Sequence, residues 1–143
     1  MTHQLSISIH GPGQTSNAHW GFTIHTPGQE FGDLLHVRLI TATRFQFENR
    51  NGHGLSEQDA WGLAPIALLD GVQRAAAVEI LEAEKPPTGG EDCQDWVVDA
   101  LVELEVAELV EPGTAETWAT RRGKDTAVVR GEVGEGWVAL NGR

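Results

Sequence analysis

Cys93 is the only cysteine in a chain of 143 residues, and six histidines accompany it: His3, His10, His19, His25, His36 and His53. A thiol within hydrogen-bond reach of an imidazole makes a nucleophile–base pair, and the base needs a third polar group to orient it. The segment "EDCQDWVVDAL" (residues 91–101) sets the thiol at a favourable place. "PPTGG" delivers the chain to Asp92, a good N-cap, and Asp95 stands three residues later as a capping-box partner. Cys93 then takes the first helical position, where free backbone N–H groups and the positive end of the helix dipole favour a thiolate and can hold an oxyanion. Two facts oppose this. Glu91, Asp92 and Asp95 repel a thiolate, and a single cysteine on an apolar helix face is commonly a packing group.

Two of the histidines are placed to be neighbours. His19 opens "HWGFTIH" on the small and polar side of an alternating strand, beside Gly21, which leaves room for a neighbour. His36 is central in "LLHVRLIT", on the strand that a turn returns next to the first, so the two histidines are expected to be cross-strand neighbours. His25 shares the His19 face but lies about 20 Å further along. His3, His10 and His53 sit near loops or the terminus and are expected in solvent. A zinc site built on His19 and His36 lacks a third ligand at recognisable spacing, so neither a metal nor a cofactor is expected.

The elements that position these groups read as strands first and helices after. "QLSISIH", "AHWGFTIHT", "LLHVRLIT" and "TRFQFEN" alternate with period two and are separated by "GPGQTSN" and "PGQEFGD", which gives an antiparallel meander. "NRNGHGLSEQD" (49–59) reads as a polar loop, and Pro65 leaves "WGLAPIALL" between strand and extended connection. "DGVQRAAAVEILEAEK" is a helix, and a second runs from Asp92 to about Val110. Cys93, Trp96, Val97, Ala100, Leu104 and Ala107 share its inward face; Val98, Val102 and Val106 line the other. The fold class is α+β, an antiparallel sheet with helices packed on one face and Cys93 at the N-terminus of the central helix. Residues 1–143 read as a single domain, with a short helix near Trp118 and residues 120–143 a candidate flexible C-terminal arm.

Composition narrows the partners. Ten Lys and Arg against 21 acids, a net charge of −11, argue against a general affinity for nucleic acid or anionic membrane. No apolar run approaches the roughly 18 residues of a membrane helix, and "MTHQLSISIHGPG" lacks a secretory signal pattern. A cytoplasmic protein without an integral membrane anchor is expected. One cysteine excludes an internal disulfide. Of the five tryptophans, Trp20, Trp61 and Trp96 are expected in the core, and Trp118 and Trp137 in a lid or partner contact.

The ordered pieces "HWGFTIH" (19–25), "LLHV" (34–37) and "DCQDWVVDAL" (92–101) resemble the permuted papain-like fold of the NlpC/P60 superfamily, and within it the LRAT-like acyltransferase branch. The resemblance implies that His19 is the base activating Cys93, that His36 orients His19, and that the Cys93 amide contributes to an oxyanion hole. Asp92 stands where that branch has Asn, "QDW" replaces Glu-His-Phe, and the turn between the histidine strands is longer. The expected function is cysteine-dependent acyl transfer on an ester, thioester or amide of a small molecule or peptide. The alternative is a non-catalytic small-molecule or protein binding module on the same scaffold.

Overall fold

A computed structural model describes residues 1–143. Six strands form one antiparallel sheet: β1 (His3–His10), β2 (His19–His25), β3 (Phe31–Leu39), β4 (Phe45–Gly54), β5 (Ala60–Leu69) and β6 (Val138–Ala139), in the order β4-β3-β2-β1-β5-β6. Four helices follow the first five strands: α1 (Gly71–Ala83), α2 (Cys93–Val106), α3 (Thr114–Ala119) and α4 (Thr126–Val133). This is the α+β class with the strands-then-helices order of the sequence. No helix is long and apolar enough to cross a membrane.

Alternation on the strands sorts the side chains into two faces. Leu5, Ile7, Ile9, Trp20, Phe22, Ile24, Leu35 and Val37 join residues of all four helices in one buried cluster. Two edge-to-face aromatic pairs tie helix to sheet, Phe22 with Trp96 at 5.7 Å and Trp20 with Trp118 at 5.2 Å between ring centroids. Trp118, expected near a lid, is therefore core, because α3 folds back along α2 and turns it onto β2. Trp61 is only half-buried beneath Arg143, and Trp137 lies across Gly62, where any Cβ would clash with its ring.

The other face carries Ser6, Ser8, His10, His19, Gly21, Thr23, His36 and His53, and most of it is buried too. The reason is topological. Chain order takes β4 at one edge to β5 beyond β1, four strand spacings or about 19 Å in a flat sheet. Six peptide steps reach about that far only when fully extended, yet Leu55–Asp59 contains two turns, with Glu57 N–H donating to Gly54 O and Ala60 N–H to Glu57 O. So the sheet rolls up, and its polar face becomes the inside of the roll. Leu34, Leu55, Ala60 and Leu63 are buried on this inner side, outside the main cluster.

Three expectations about the chain are revised here. The "loop" 49–59 is largely β4, extended to Gly54 because residues 49–54 pair with β3 across a bulge. "WGLAPIALL" is strand: Pro65 is exposed next to the β1/β5 bulge and beyond the short β6 pairing, where no ladder donor is required of it. Residues 120–143 carry α4, whose Val129 is fully buried, and β6, which pairs with Gly62 and Leu63.

Candidate functional site

α2 begins as its sequence dictates. Asp92 is the N-cap, its carboxylate accepting from the Gln94 and Asp95 amides, while Asp95 accepts from Asp92 N–H at 2.9 Å. Two of the three acids that crowd the thiol in the sequence, Asp92 and Asp95, are thereby occupied. Asn17 donates to Asp92 at 2.8 Å, and Arg122 pairs with Asp95 at 2.9 Å. Cys93 is the first helical residue, 7% exposed, and its thiol donates to the Ala18 carbonyl at 3.9 Å. Burial pushes the thiol up to about 11, with Asp92 adding to the rise; the backbone N–H groups of Trp20, Cys93 and Gln94 oppose it without prevailing. The resting group is a thiol.

Gln94 was not singled out in the sequence, and it holds the helix start in register. Fully buried, it donates to Ala18 O at 3.0 Å and accepts from Gly123 N–H at 2.8 Å. The Ala18 carbonyl thus anchors both first residues of α2 immediately before His19.

His19 and His36 meet as expected. His19 Nε2 and His36 Nδ1 are 2.7 Å apart, with ring planes at 77°. Gly21 makes this possible, because a Cβ there would come within 2.8 Å of the His36 Cβ. The chain of bonds continues to a residue the sequence reading missed. His36 Nε2 lies 2.8 Å from Glu48 Oε1, and Arg50 donates to the same oxygen at 3.1 Å. The signal for Glu48 was register: β3 and β4 pair His36 with Glu48 directly.

The partners fix the tautomers. An ionised carboxylate only accepts, so His36 donates from Nε2 and, being neutral, accepts at Nδ1 from His19 Nε2–H. Burial lowers the His36 pKa, which keeps that ring neutral, while the hydrogen bond from His36 lowers the Glu48 pKa. His19 is left with an unprotonated Nδ1 that has no hydrogen-bond partner in the protein. Burial, with the neighbouring His36 and His10, holds His19 at about 3. Cys93 is thus brought against the backbone of residues 18 and 20, and its one hydrogen bond goes to a carbonyl rather than to an imidazole.

His10 and His53 are placed contrary to expectation. His10 is cross-strand from His19 in the β1/β2 register, with ring centroids 5.7 Å apart, and burial lowers it to about 4. His53 is 6% exposed, and its ring centroid is 6.4 Å from that of His10. Both look like terminal or loop residues in the sequence; rolling of the sheet buries them. His3, also expected in solvent, is 8% exposed beside Arg74. A cavity of about 280 Å³ opens beside this group, lined by residues 10–19 and Asp59.

A family model described as a family of unknown function (DUF6540) matches residues 6–111, and the chain belongs to that family. The match runs from β1 past α2 and includes His10, His19, His36, Glu48, His53, Glu57 and Cys93. No curated protein and no solved structure matches the chain.

Proposed function

We propose that this member of the family is a cysteine-dependent acyl-transfer enzyme, with Cys93 as nucleophile, His19 as base and His36, backed by Glu48, as the orienting group. The observation that carries the reading is the directed relay Glu48–His36–His19, which ends in an unprotonated His19 Nδ1 one residue from the carbonyl on which the thiol rests. The Cys93 S–H would pass its proton to His19 Nδ1 as sulfur attacks an ester, thioester or amide carbonyl. The Cys93 N–H, the one amide of the first turn not taken up by Asp92, would contribute to holding the developing oxyanion. The adduct collapses as its bond to the alcohol, thiol or amine breaks, and His19 gives that leaving group the proton. His19 then takes a proton from water or an acceptor nucleophile attacking the acyl carbon, and returns it to the Cys93 sulfur as the acyl–sulfur bond breaks. This order of parts also supports the permuted papain-like reading of the fold. The substrate would be a small-molecule or peptide acyl compound.

A thiol near 11 sets the manner of activation. Cys93 would not rest as a thiolate, so proton transfer accompanies attack, as in general-base catalysis. The test is incubation with p-nitrophenyl acetate and an acetyl thioester of N-acetylcysteamine, followed by intact-mass and peptide mass spectrometry. An acetyl adduct on Cys93 that forms in the wild type and not in His19→Ala supports the mechanism. Equal acetylation in both variants, or none in either, overturns it.

The burial of that thiol and its bond to Ala18 O favour a second reading, a non-catalytic binding module in which Cys93 packs the helix start. Under that reading Cys93→Ala folds normally and no acyl adduct accumulates with either probe.

A further inference from the structure

His10, His53 and Glu57 converge at the rolled edge of the polar face, and the Cys93 chemistry uses none of them. Each offers one ligand atom, and these atoms lie within 4.8 Å of one another. They reach this point from separate places in the chain: His10 from the end of β1, His53 from the end of β4, and Glu57 from the turn that crosses to β5.

One of the three spacings already suits a metal. In a tetrahedral site with bonds of about 2.1 Å, neighbouring ligand atoms sit about 3.4 Å apart. His53 Nε2 and Glu57 Oε2 are 3.3 Å apart, an ordinary edge of such a polyhedron. The third ligand has further to move, and Glu57 has the freedom to follow it, being exposed on a turn. The imidazoles are also prepared. His10 Nδ1 is 3.4 Å from Ser8 Oγ, which leaves Nε2 without a partner, the arrangement by which an outer group orients a metal-ligating ring. Both rings are buried, and a buried imidazole presents a lone pair in place of a proton.

From this juxtaposition we infer that His10, His53 and Glu57 form a binding site for a divalent transition metal of the zinc class. Two nitrogens and one carboxylate oxygen suit zinc, cobalt or nickel better than calcium or magnesium, which take oxygen ligands. Three protein ligands leave one coordination position open. The cavity lined by His10, His19 and Asp59 adjoins the site and gives that position access to water or a small anionic ligand. The site is independent of the acyl-transfer reading, since Cys93 and Glu48 contribute nothing to it.

The test uses the full chain, stripped with chelator and titrated with zinc and then with cobalt(II). Calorimetry should give one zinc per chain. Cobalt should give the intense visible bands of a four- or five-coordinate site rather than the weak bands of an octahedral ion. His53→Gln and Glu57→Gln should each weaken zinc binding by more than about 10-fold. His25→Gln, a histidine outside the site, should leave binding unchanged, and circular dichroism confirms that each variant is folded. Absence of stoichiometric binding overturns the assignment. So does binding that survives both substitutions at 53 and 57, or binding that is lost in Cys93→Ser, which would move the metal to the thiol.

Discussion

The two faces of the sheet come from the same strands on alternate residues, and both are buried, but by different means. On one face Ile7, Trp20, Phe22, Leu35 and Val37 meet four helices, and the contacts are apolar and edge-to-face aromatic. On the other, Ser8, His10, His19, His36 and His53 are covered by the sheet's own curl and by the turn at Leu55–Asp59. The first face gains stability by removing hydrocarbon from water. The second spends part of it, because buried histidines must stay neutral and hydrogen-bonded. A domain of this kind concentrates its cohesion on one side and leaves titratable, ligand-ready groups on the other.

The sharpest way to test that division is to weaken each side and compare. Truncating a large aromatic side chain in the helix-covered core should cost the most stability. Trp96, 1% exposed and packed on Phe22 and Phe47, is the choice. Trp96→Ala should lose about 3–5 kcal/mol in urea denaturation, with the histidine face unable to compensate. A loss under about 1 kcal/mol would mean that this core is not the main source of stability.

On the histidine face the corresponding lever is pH. His10 and His19 are held at about 4 and about 3 by burial. In the unfolded chain they take up protons below about 6.5. The unfolded state therefore binds more protons as pH falls, and stability present above that pH is lost on the way down. Each of these two rings should contribute a slope of about 1.4 kcal/mol per pH unit between roughly 6.5 and its folded value. Chelator-treated protein melted at intervals from pH 7 to 5 should show Tm falling steadily. A flat profile would show the two rings to be in solvent.

In the relay on the histidine face, Glu48→Gln should act through its neighbours without touching the core. Losing the carboxylate frees the His36 tautomer and removes the fixed direction of the relay. Acetylation of Cys93 by p-nitrophenyl acetate should slow by roughly 10-fold or more, short of the roughly 100-fold or more that losing the base itself would cost, with the Tm nearly kept. The smallest effect is local to the helix start: Asp92→Ala removes the carboxylate that accepts from two amides and should cost about 1 kcal/mol. It also removes a negative charge that raises the Cys93 thiol, so iodoacetamide should label Cys93 faster in this variant than in the wild type. Slower labelling would mean that the cap, rather than the charge, controls the sulfur.

Much of the scaffold was legible from local pattern. Period-two alternation found β1 to β3 and the start of β4, and assigned Ile7 and Ser8 to opposite faces, because each strand buries one side on helices. The capping box at Asp92 and Asp95 was readable since it needs only residues three apart. The meeting of His19 and His36 followed from strand adjacency and the space above Gly21. What could not be read depended on curvature. His10 and His53 look like loop-end histidines until the sheet rolls, and Glu48 becomes a relay member only through the β3/β4 register. Trp118 in its polar surroundings gave no sign that α3 would return it to β2.

By itself, then, the sequence determined which residues alternate, where α2 starts, and that a thiol stands at its first position, all consequences of interactions spanning a few residues. The tertiary structure decided what that thiol and the histidines experience. A short turned connection between two distant strands forces the sheet to curl, and that curl buries His53, largely covers His10 and His19, and brings the exposed Glu57 to their edge. Burial and proximity across the fold set protonation and partners, and neither can be counted along the chain.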